Sequence, residues 1–299
     1  MSDIPEIWLA AEEVRSNFIK TVMLLLSMVG VIVLLSWLLG TLINNPVIGW
    51  KIGFLACFVV IPIELMCAKF MITSLSGCYQ INPEVPKELE VLRIVENISI
   101  SAGLQKTPEV YVMETDIPNA FAAGWNEDSA YIVVTDGLLA RLNRQELEGV
   151  IAHEIAHVIH RDIMITNMAI SLNTAIFLLS ICVRIASLIV AVKSRNIFAL
   201  LLFFIIQPTT FIISCLLFAG ISQKREFAAD AMAVRLCSYN QGLISALSKL
   251  SRQESYSDDQ IDELGGKHME ALYFHYPSDS IFSTHPPIEE RIERLKHTY

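Results

Sequence analysis

The sequence is poor in charged residues and lacks any run rich in Lys or Arg. Asp, Glu, Lys and Arg make up 18% of the 299 residues, whereas soluble globular proteins carry about 25%. Hydrophobic residues reach 53%, so the deficit indicates segments that face lipid rather than one oversized core. The net charge of −9 offers no basic surface for nucleic acid, and no nucleic-acid partner is expected.

Cysteine pairs of the CxxC type are also missing, and the six cysteines form no recognisable disulfide framework. At least three of them lie inside apolar runs. We therefore expect reduced, buried thiols, which agrees with a catalytic part that faces the cytosol. The cysteines are Cys57, Cys67, Cys78, Cys182, Cys215 and Cys237.

The first twenty residues lack the short apolar stretch and small-residue cleavage site of a signal peptide. They carry Glu12, Glu13, Arg15 and Lys20 before any apolar run, so no removable leader is expected. Internal repeats and low-complexity tracts are absent as well. No pattern in this stretch indicates its role.

Four apolar runs are present, and the first two form a pair. Thr21–Ile43 is uncharged and long enough to cross a bilayer core of about 30 Å as a helix. A turn at Asn44–Pro46 separates it from a second run, Ile52–Leu75. Because this run contains Glu64 and Lys69, it is either a transmembrane helix or a buried or interfacial one.

The third and fourth runs, Ile163–Val192 and Ile197–Ile221, are joined by a polar turn at residues 193–196. Arg184 is the one charge in the third run. Its side chain either snorkels toward the basic turn or is a functional charge within the membrane. The two pairs of runs predict two transmembrane hairpins, so the lipid bilayer is an expected partner.

The remaining sequence predicts a small α+β domain. An amphipathic pattern favours a helix over Lys87–Ala102. Runs of β-branched and aromatic residues favour strands at Glu109–Met113 and Tyr131–Thr135. Asn143, followed three residues later by Glu146, is typical of a capping box at the start of a helix.

That helix contains an HExxH motif, in which His153 and His157 share one face and can reach a single metal ion. Glu154 is rotated about 100° from His153, which places its carboxylate beside the ion as a base for an attacking water. The motif also occurs by chance on exposed helices. The apolar face of this helix argues against chance, because an unpaired imidazole near a packed interior is costly. That face comprises Leu147, Val150, Ile151 and Ile155.

A catalytic zinc ion takes three protein ligands and keeps one open position. The segment Arg225–Asp230 is the favoured source of the third ligand. Glu226 and Asp230 share a helix face, so one can bind the metal while the other orients a histidine. The alternative is a solvated acidic pair at a membrane boundary.

Four motifs, in this order along the chain, resemble those of the HtpX-type membrane metalloendopeptidases, which are relatives of the CAAX-prenyl endopeptidases. The first hundred residues match that family only in hydropathy. The combination of motifs is far more specific than HExxH alone. The motifs are Asn119–Gly124, Leu147–His157 followed by Arg161-Asp162, Arg225–Asp230, and Thr284–Ile292.

The resemblance implies one Zn²⁺ per subunit on His153, His157 and Glu226, with Glu154 as general base and Asp230 behind a ligand histidine. It also implies that residues 119–124 form an edge strand to which an extended substrate adds, with its backbone held by the asparagine. An unpaired strand edge is a template for such addition. The substrate-binding residues would be Asn119, Ala120, Phe121 and Ala122.

His285 is the best candidate for an oxyanion donor opposite the metal. The alternative is a turn residue before Pro286-Pro287. The fold expected from all of these features is a mainly α membrane protein with two transmembrane hairpins and a small α+β zincin-like catalytic domain. Residues 1–75 are expected to contain the first hairpin, and residues 163–221 the second. Residues 76–162 and 222–299 are expected to form the catalytic domain.

The expected function is hydrolysis of internal peptide bonds in polypeptides. By resemblance, the substrates are damaged or misassembled membrane proteins, in a quality-control and stress-response role. Processing of a lipidated C-terminus is one alternative, but the prenyl endopeptidases have more than four spans. An inactive membrane scaffold with a zincin fold is another, and the complete HExxH and ExxxD set argues against it.

Both termini and the catalytic domain are expected on the cytoplasmic side of a bacterial inner membrane. The expected metal ligands lie before and after the second hairpin in the sequence. Because they bind one ion, they must lie on the same side of the membrane, so an even number of spans separates them. Positive residues are enriched on the cytoplasmic face, and six lie near span ends on the catalytic side against three in the opposite loops. The six are Arg15, Lys20, Lys69, Arg161, Lys224 and Arg225, and the three are Lys51, Lys193 and Arg195.

Overall fold

The structure is a computed structural model of the chain. It is mainly helical with one small mixed sheet, which agrees with the predicted fold class. The described residues divide into two compact units, one from residues 1–66 and 168–221 and the other from residues 67–167 and 222–299. The parts of the chain that the structure describes are residues 6–63, 69, 77–251 and 286–298.

The first unit begins with a helical hairpin of α1 (Glu6–Leu42) and α2 (Pro46–Leu55), which continues as a π-helical segment, Ala56–Val60. The turn between α1 and α2 lies where the sequence predicts it. Asn44 adopts a left-handed conformation with φ of 55°. The side chain of Asn45 then accepts a hydrogen bond from a backbone N–H in the first turn of α2.

The same unit contains most of two further long helices, α6 (Asp162–Ser194) and α7 (Ile197–Cys237). The hydroxyl of Ser180 lies 3.4 Å from the amide oxygen of Gln207. The Arg184 guanidinium carbon lies 4.7 Å from the ring centroid of Phe203. Arg184 therefore stacks on an aromatic side chain of the neighbouring helix.

Within the residues that the structure describes, three helical stretches are long and apolar enough to cross a membrane, judged by length and composition. They are Leu25–Leu42, Pro46–Ile63 and Asp162–Ser194. In α7 the part of the apolar run whose side chains the structure describes is Ile197–Ile213. The prediction of two complete hairpins therefore stays a prediction.

The cysteines differ from expectation in one respect. The four whose side chains the structure describes are free thiols, as predicted, but none of them is buried. Cys57, Cys78 and Cys237 are half-buried, and Cys182 is exposed on α6. The prediction of burial was wrong for these four. For Cys57 and Cys182 the reason is that a helix long enough to span a membrane has an apolar outer face, so an apolar neighbourhood in sequence does not imply burial inside protein.

The second unit contains a four-stranded sheet with the order β1-β2-β4-β3. The pair β2 and β4 is parallel, and the other two pairs are antiparallel. Both predicted strands are confirmed with their boundaries, as β2 and β4. The strands are β1 (Cys78–Gln80), β2 (Glu109–Met113), β3 (Ala120–Ala123) and β4 (Tyr131–Thr135).

Helix α5 (Arg144–Ile159) is the central helix of this unit, and it begins at the predicted capping box. The Asn143 side chain accepts from the Glu146 N–H at 3.1 Å, and the Glu146 carboxylate accepts from the Asn143 N–H at 2.9 Å. Lys249 also binds Glu146, at 2.7 Å. The other helices of the unit are α3 (Pro86–Ser101), α4 (Asp136–Arg141), α8 (Gln241–Leu250) and α9 (Ile288–Lys296).

Helices α5 and α8 approach closely where α5 has a glycine. A Cβ placed on Gly149 would lie 2.6 Å from the backbone nitrogen of Leu243, so only glycine fits there. The apolar side chains of α3, α5, α8 and the sheet form one continuous core. This packing fixes the rotation of α5 and therefore the direction in which its polar face points.

Candidate active site

The two histidines of the HExxH motif lie on one face of α5, and Glu154 is rotated about 100° from His153 around the helix axis. His153 and Glu154 are 1% and 3% exposed, and the His157 side chain is 16% exposed. The two histidines share a face because they are four residues apart, and the apolar face of α5 packs into the core. The two imidazole Nε2 atoms are 3.1 Å apart.

Helix α7 brings two buried carboxylates to the same place, one helical turn apart. The Glu226 oxygens lie 3.4 Å from His157 Nε2 and 3.4 Å from His153 Nε2. Asp230 lies behind His153 instead, with Oδ1 2.9 Å from Nδ1. Glu226 therefore faces the same point as both Nε2 atoms, whereas Asp230 contacts the opposite side of one ring.

The donor set of these residues fits a zinc ion. One atom from each of His153, His157 and Glu226 lies within 4.8 Å of the other two. A tetrahedral ion with bonds of about 2.0–2.2 Å holds its ligand atoms about 3.3 Å apart. The observed separations of 3.1 and 3.4 Å agree with that spacing. Two imidazole nitrogens and a carboxylate are also common donors in catalytic zinc sites.

A second carboxylate lies behind the other histidine. The Asp162 Oδ2 is 3.0 Å from Nδ1 of His157. Burial alone would lower the pKa of His157, but the hydrogen bonds to Asp162 and Glu226 outweigh it and raise the pKa to about 10. The negative groups that favour a bound proton here equally favour a metal cation.

Helix α9 adds an arginine to the site. Arg291 is 1% exposed, and its guanidinium binds Asp230 through Nε at 2.9 Å and Nη2 at 2.7 Å. Its Nη1 lies 3.4 Å from Glu226. Burial alone would raise the pKa of Asp230, but Arg291 and His153 lower it to about 2. Asp230 is therefore ionised near neutral pH.

Glu154 is held by the edge strand of the sheet. Its Oε2 accepts a hydrogen bond from the backbone N–H of Ala122, in β3, at 2.8 Å. Burial raises the pKa of Glu154, and the two histidines only partly oppose that effect. A carboxylate with a raised pKa holds a proton more readily, which suits a group that accepts one from water.

Comparison with known proteins identifies the family. Residues 86–299 match the sequence model of peptidase family M48. The chain belongs to this family. A protease HtpX homolog from Streptococcus gordonii is 32% identical to it over 309 residues, which cover 95% of this chain and 98% of the relative. A protease HtpX homolog from Dictyoglomus turgidum is 39% identical over 214 residues, which cover 69% of this chain and 68% of the relative.

The fold also resembles that of a solved structure. The crystal structure of Ste24p from S. mikatae superposes with a TM-score of 0.50 and 20% sequence identity, over 94% of this chain. This chain spans 65% of the length of that protein. The family match and the two HtpX relatives confirm the predicted resemblance to the HtpX-type metalloendopeptidases, and the chain is an M48 metallopeptidase.

Of the residues that the sequence predicts for the M48 site, most lie together. The three predicted zinc ligands, Glu154 and Asp230 form one cluster, and β3 lies at the sheet edge. His285 lies outside the described residues. Asn119 is fully buried, and its side-chain oxygen accepts from the Ala120 N–H at 2.9 Å. Its contact with a substrate backbone remains a prediction.

Sequence analysis missed the roles of three charged residues in this M48 site: Asp162, Arg225 and Arg291. All three lie within the motifs identified in the sequence, where no function was assigned to them. A pattern that could have revealed Arg291 is its spacing from Ile288 and Leu295, which places it on the apolar face of α9. A buried arginine needs a partner of opposite charge, so its presence there indicates a carboxylate nearby.

Proposed function

We propose that this M48 protein is an integral-membrane zinc endopeptidase with His153, His157 and Glu226 as metal ligands and Glu154 as general base. The observation that supports this most strongly is the convergence of three donor atoms, 3.1–3.4 Å apart, next to a buried carboxylate. Histidine and carboxylate ligands suit zinc. Two of the ligands come from α5 and the third from α7, which is far from α5 in the sequence.

In this proposal each residue has a distinct task. A zinc ion held by His153, His157 and Glu226 would supply Lewis acidity to polarise the scissile carbonyl and to lower the pKa of water. Glu154 takes a proton from the attacking water and delivers it to the leaving amine. The hydrogen bond from Ala122 keeps the Glu154 carboxylate in place. Burial of the cluster excludes bulk water, which strengthens every electrostatic interaction inside it.

The proposed substrate is an extended polypeptide that adds to β3. The N–H groups of Ala120 and Ala122 bond to the side chains of Asn119 and Glu154, so both point away from β4. Backbone groups with that direction are the ones that pair with an added strand. The side of β3 that faces away from β4 is the free edge of the sheet, where the added strand would lie. This arrangement supports residues 119–122 as the substrate-binding segment.

The proposed substrates are membrane proteins that are damaged or misassembled. The apolar helices of the first unit support a position in the bilayer, where the enzyme meets such chains directly. The proposal includes a multi-pass arrangement in a bacterial inner membrane with the catalytic unit in the cytoplasm. Its support is the charge distribution around the apolar runs.

The decisive experiment compares the purified protein in detergent with a Glu154→Gln variant. The variant keeps the shape of the side chain but cannot accept a proton, so it should bind zinc normally and lose casein cleavage. A matched control is Glu148→Gln on the same helix, which contacts Arg144 and Tyr239 rather than the site, and should cleave normally. His157→Ala and Glu226→Ala should lose the metal itself.

Three outcomes would contradict the proposal. Substantial proteolysis by zinc-loaded Glu154→Gln would remove Glu154 as the base. Zinc binding by Glu226→Ala as tight as that of the parent would mean that another residue completes the site. Cleavage that survives a chelator in the parent protein would remove the metal from the reaction altogether.

A further inference from the structure

Asp162 lies at a turn that returns the chain toward the site. Helix α5 ends at Ile159, and α6 begins only three residues later, at Asp162. Between them, Arg161 adopts a left-handed backbone conformation with φ of 60°, which is uncommon for a residue other than glycine. This turn brings the Asp162 carboxylate to within 3.0 Å of the His157 ring nitrogen. Asp162 is 6% exposed.

Arg225, on α7, contacts the same carboxylate. Its Nη1 lies 3.4 Å from Asp162 Oδ1, and the Arg225 side chain is 12% exposed. The carboxylate thus has one oxygen toward the histidine and the other toward a guanidinium. Histidine, aspartate and arginine form a continuous chain of polar contacts.

A second chain with the same order of groups lies on the other side of the ligand cluster. His153 Nδ1 contacts Asp230 at 2.9 Å, and Asp230 is bound by Arg291. Each histidine whose Nε2 faces Glu226 therefore has an aspartate on Nδ1 and an arginine behind that aspartate. The two chains come from different parts of the sequence.

The charges of these groups suit a divalent cation. Each aspartate is balanced by its own arginine, so the two chains are neutral pairs behind neutral imidazoles. Glu226 adds a carboxylate 3.4 Å from each Nε2 atom, and this carboxylate also lies 3.4 Å from Arg291. A carboxylate on Nδ1 also fixes the proton on that nitrogen and leaves the Nε2 lone pair for a metal.

We propose that Asp162, held by Arg225, is a positioning residue for the zinc ligand His157, as the counterpart of Asp230 and Arg291 behind His153. This rests on the proposed function, since it requires a metal on His157. Asp162 is the first residue of α6, and Arg225 lies on α7. The orientation of the His157 ring therefore depends on the positions of these two residues. Asp162 contacts no reacting atom and acts through the histidine.

The test measures metal binding rather than turnover. Zinc affinity of detergent-purified protein is measured by competition with a chromophoric chelator, and cobalt-substituted protein gives a visible spectrum that reports ligand geometry. Asp162→Ala should weaken zinc binding by about ten- to a hundredfold and change the cobalt spectrum. Asp162→Asn and Arg225→Met should change both in the same direction by smaller factors.

Two variants serve as controls. Glu88→Gln alters a buried carboxylate that binds Tyr79 and the Asn82 N–H, away from the ligands, and should leave affinity and spectrum unchanged. Arg161→Gly keeps the turn, because glycine adopts positive φ without strain, and should bind zinc as the parent does. A loss in Arg161→Gly equal to that in Asp162→Ala would overturn the proposal, because damage to the turn would explain both.

The inference and the proposed function fail in different ways. A parent protein that binds no zinc refutes the proposed function. A parent protein that binds zinc, with an Asp162→Ala variant of equal affinity and identical cobalt spectrum, refutes the inference alone. If the Asp162 variants do not purify as folded protein, Arg225→Met decides, and unchanged values there overturn the assignment.

Discussion

Arg291 is a buried arginine that contacts three residues of the candidate active site. Arg291 is 1% exposed, and its guanidinium donates two hydrogen bonds to Asp230. Glu226 and His153 also lie within 3.4 Å of the guanidinium. Removing one partner of a buried ion pair leaves the other charge buried and unpaired, which costs more than the pair itself contributes. We therefore expect this residue to affect folding as well as metal binding.

The prediction for Arg291→Met is a loss of about 3–5 kcal/mol in the free energy of unfolding, together with weaker zinc binding. Arg291→Lys should not restore the parent values, because an ammonium cannot reproduce the two parallel hydrogen bonds. Denaturant unfolding in detergent and chelator competition measure the two effects. The control is Lys296→Met, whose exposed pair with Glu293 contributes at most about 1 kcal/mol. Equal losses in both variants would refute the argument.

Arg291 and Asp162 also show where sequence reasoning stopped. The spacing of His153 and His157 on one helix face is a local property, and it correctly predicts their convergence. Arg291 lies 138 residues from His153, so no local pattern reports that contact. Asp162 is near in sequence, but its contact with His157 depends on the left-handed conformation of Arg161, which no residue pattern indicates.

Among the helices, the hairpin of α1 and α2 depends on small residues at its contact. A Cβ added to Gly49 would collide with the Ser36 carbonyl oxygen and would lie 2.9 Å from the Gly40 Cα. Backbone atoms cannot move aside as a flexible side chain can. Close approach at small residues is the usual way in which apolar helices associate when both are surrounded by lipid.

We predict that Gly49→Val destabilises the protein by about 1–3 kcal/mol, the range for overpacking a close contact. Gly30→Val is the matched control, because a Cβ at that position of α1 meets nothing within 4 Å. Thermal unfolding in detergent should show a lower midpoint for the first variant and a nearly unchanged one for the second. Equal shifts would mean that helix propensity, rather than contact, sets the cost.

The elements of the catalytic unit were predictable to different degrees. The boundaries of β2 and β4 and the capping box of α5 follow from local composition, and the structure confirms them. Helix α8 was left unassigned although Leu243, Leu247 and Leu250 recur at helical spacing, so the information was present. Strand β1 was not predictable in this way, because its three residues form a strand only by pairing with β2.

The order of segments along the chain links the metal site to the path through the membrane. His157 precedes α6 and Glu226 lies on α7, yet the two side chains meet at 3.4 Å. The chain between them consists of the two long helices and the turn at residues 195–196. If both helices cross the bilayer, the turn at the far end of α6 lies on the opposite side from the metal site.

The direction of that crossing gives the last prediction. Six basic residues near span ends on the catalytic side, against three in the opposite loops, favour a cytoplasmic catalytic unit because positive residues are retained inside. In a cysteine-free background, Ser194→Cys at the end of α6 should react with a membrane-impermeant maleimide in cells whose inner membrane is intact. Ser101→Cys, exposed in the catalytic unit, should react only after permeabilisation. The reverse pattern would place the protease outside the cytoplasm, and protection of both positions in intact cells would mean that the α6–α7 hairpin does not cross the membrane.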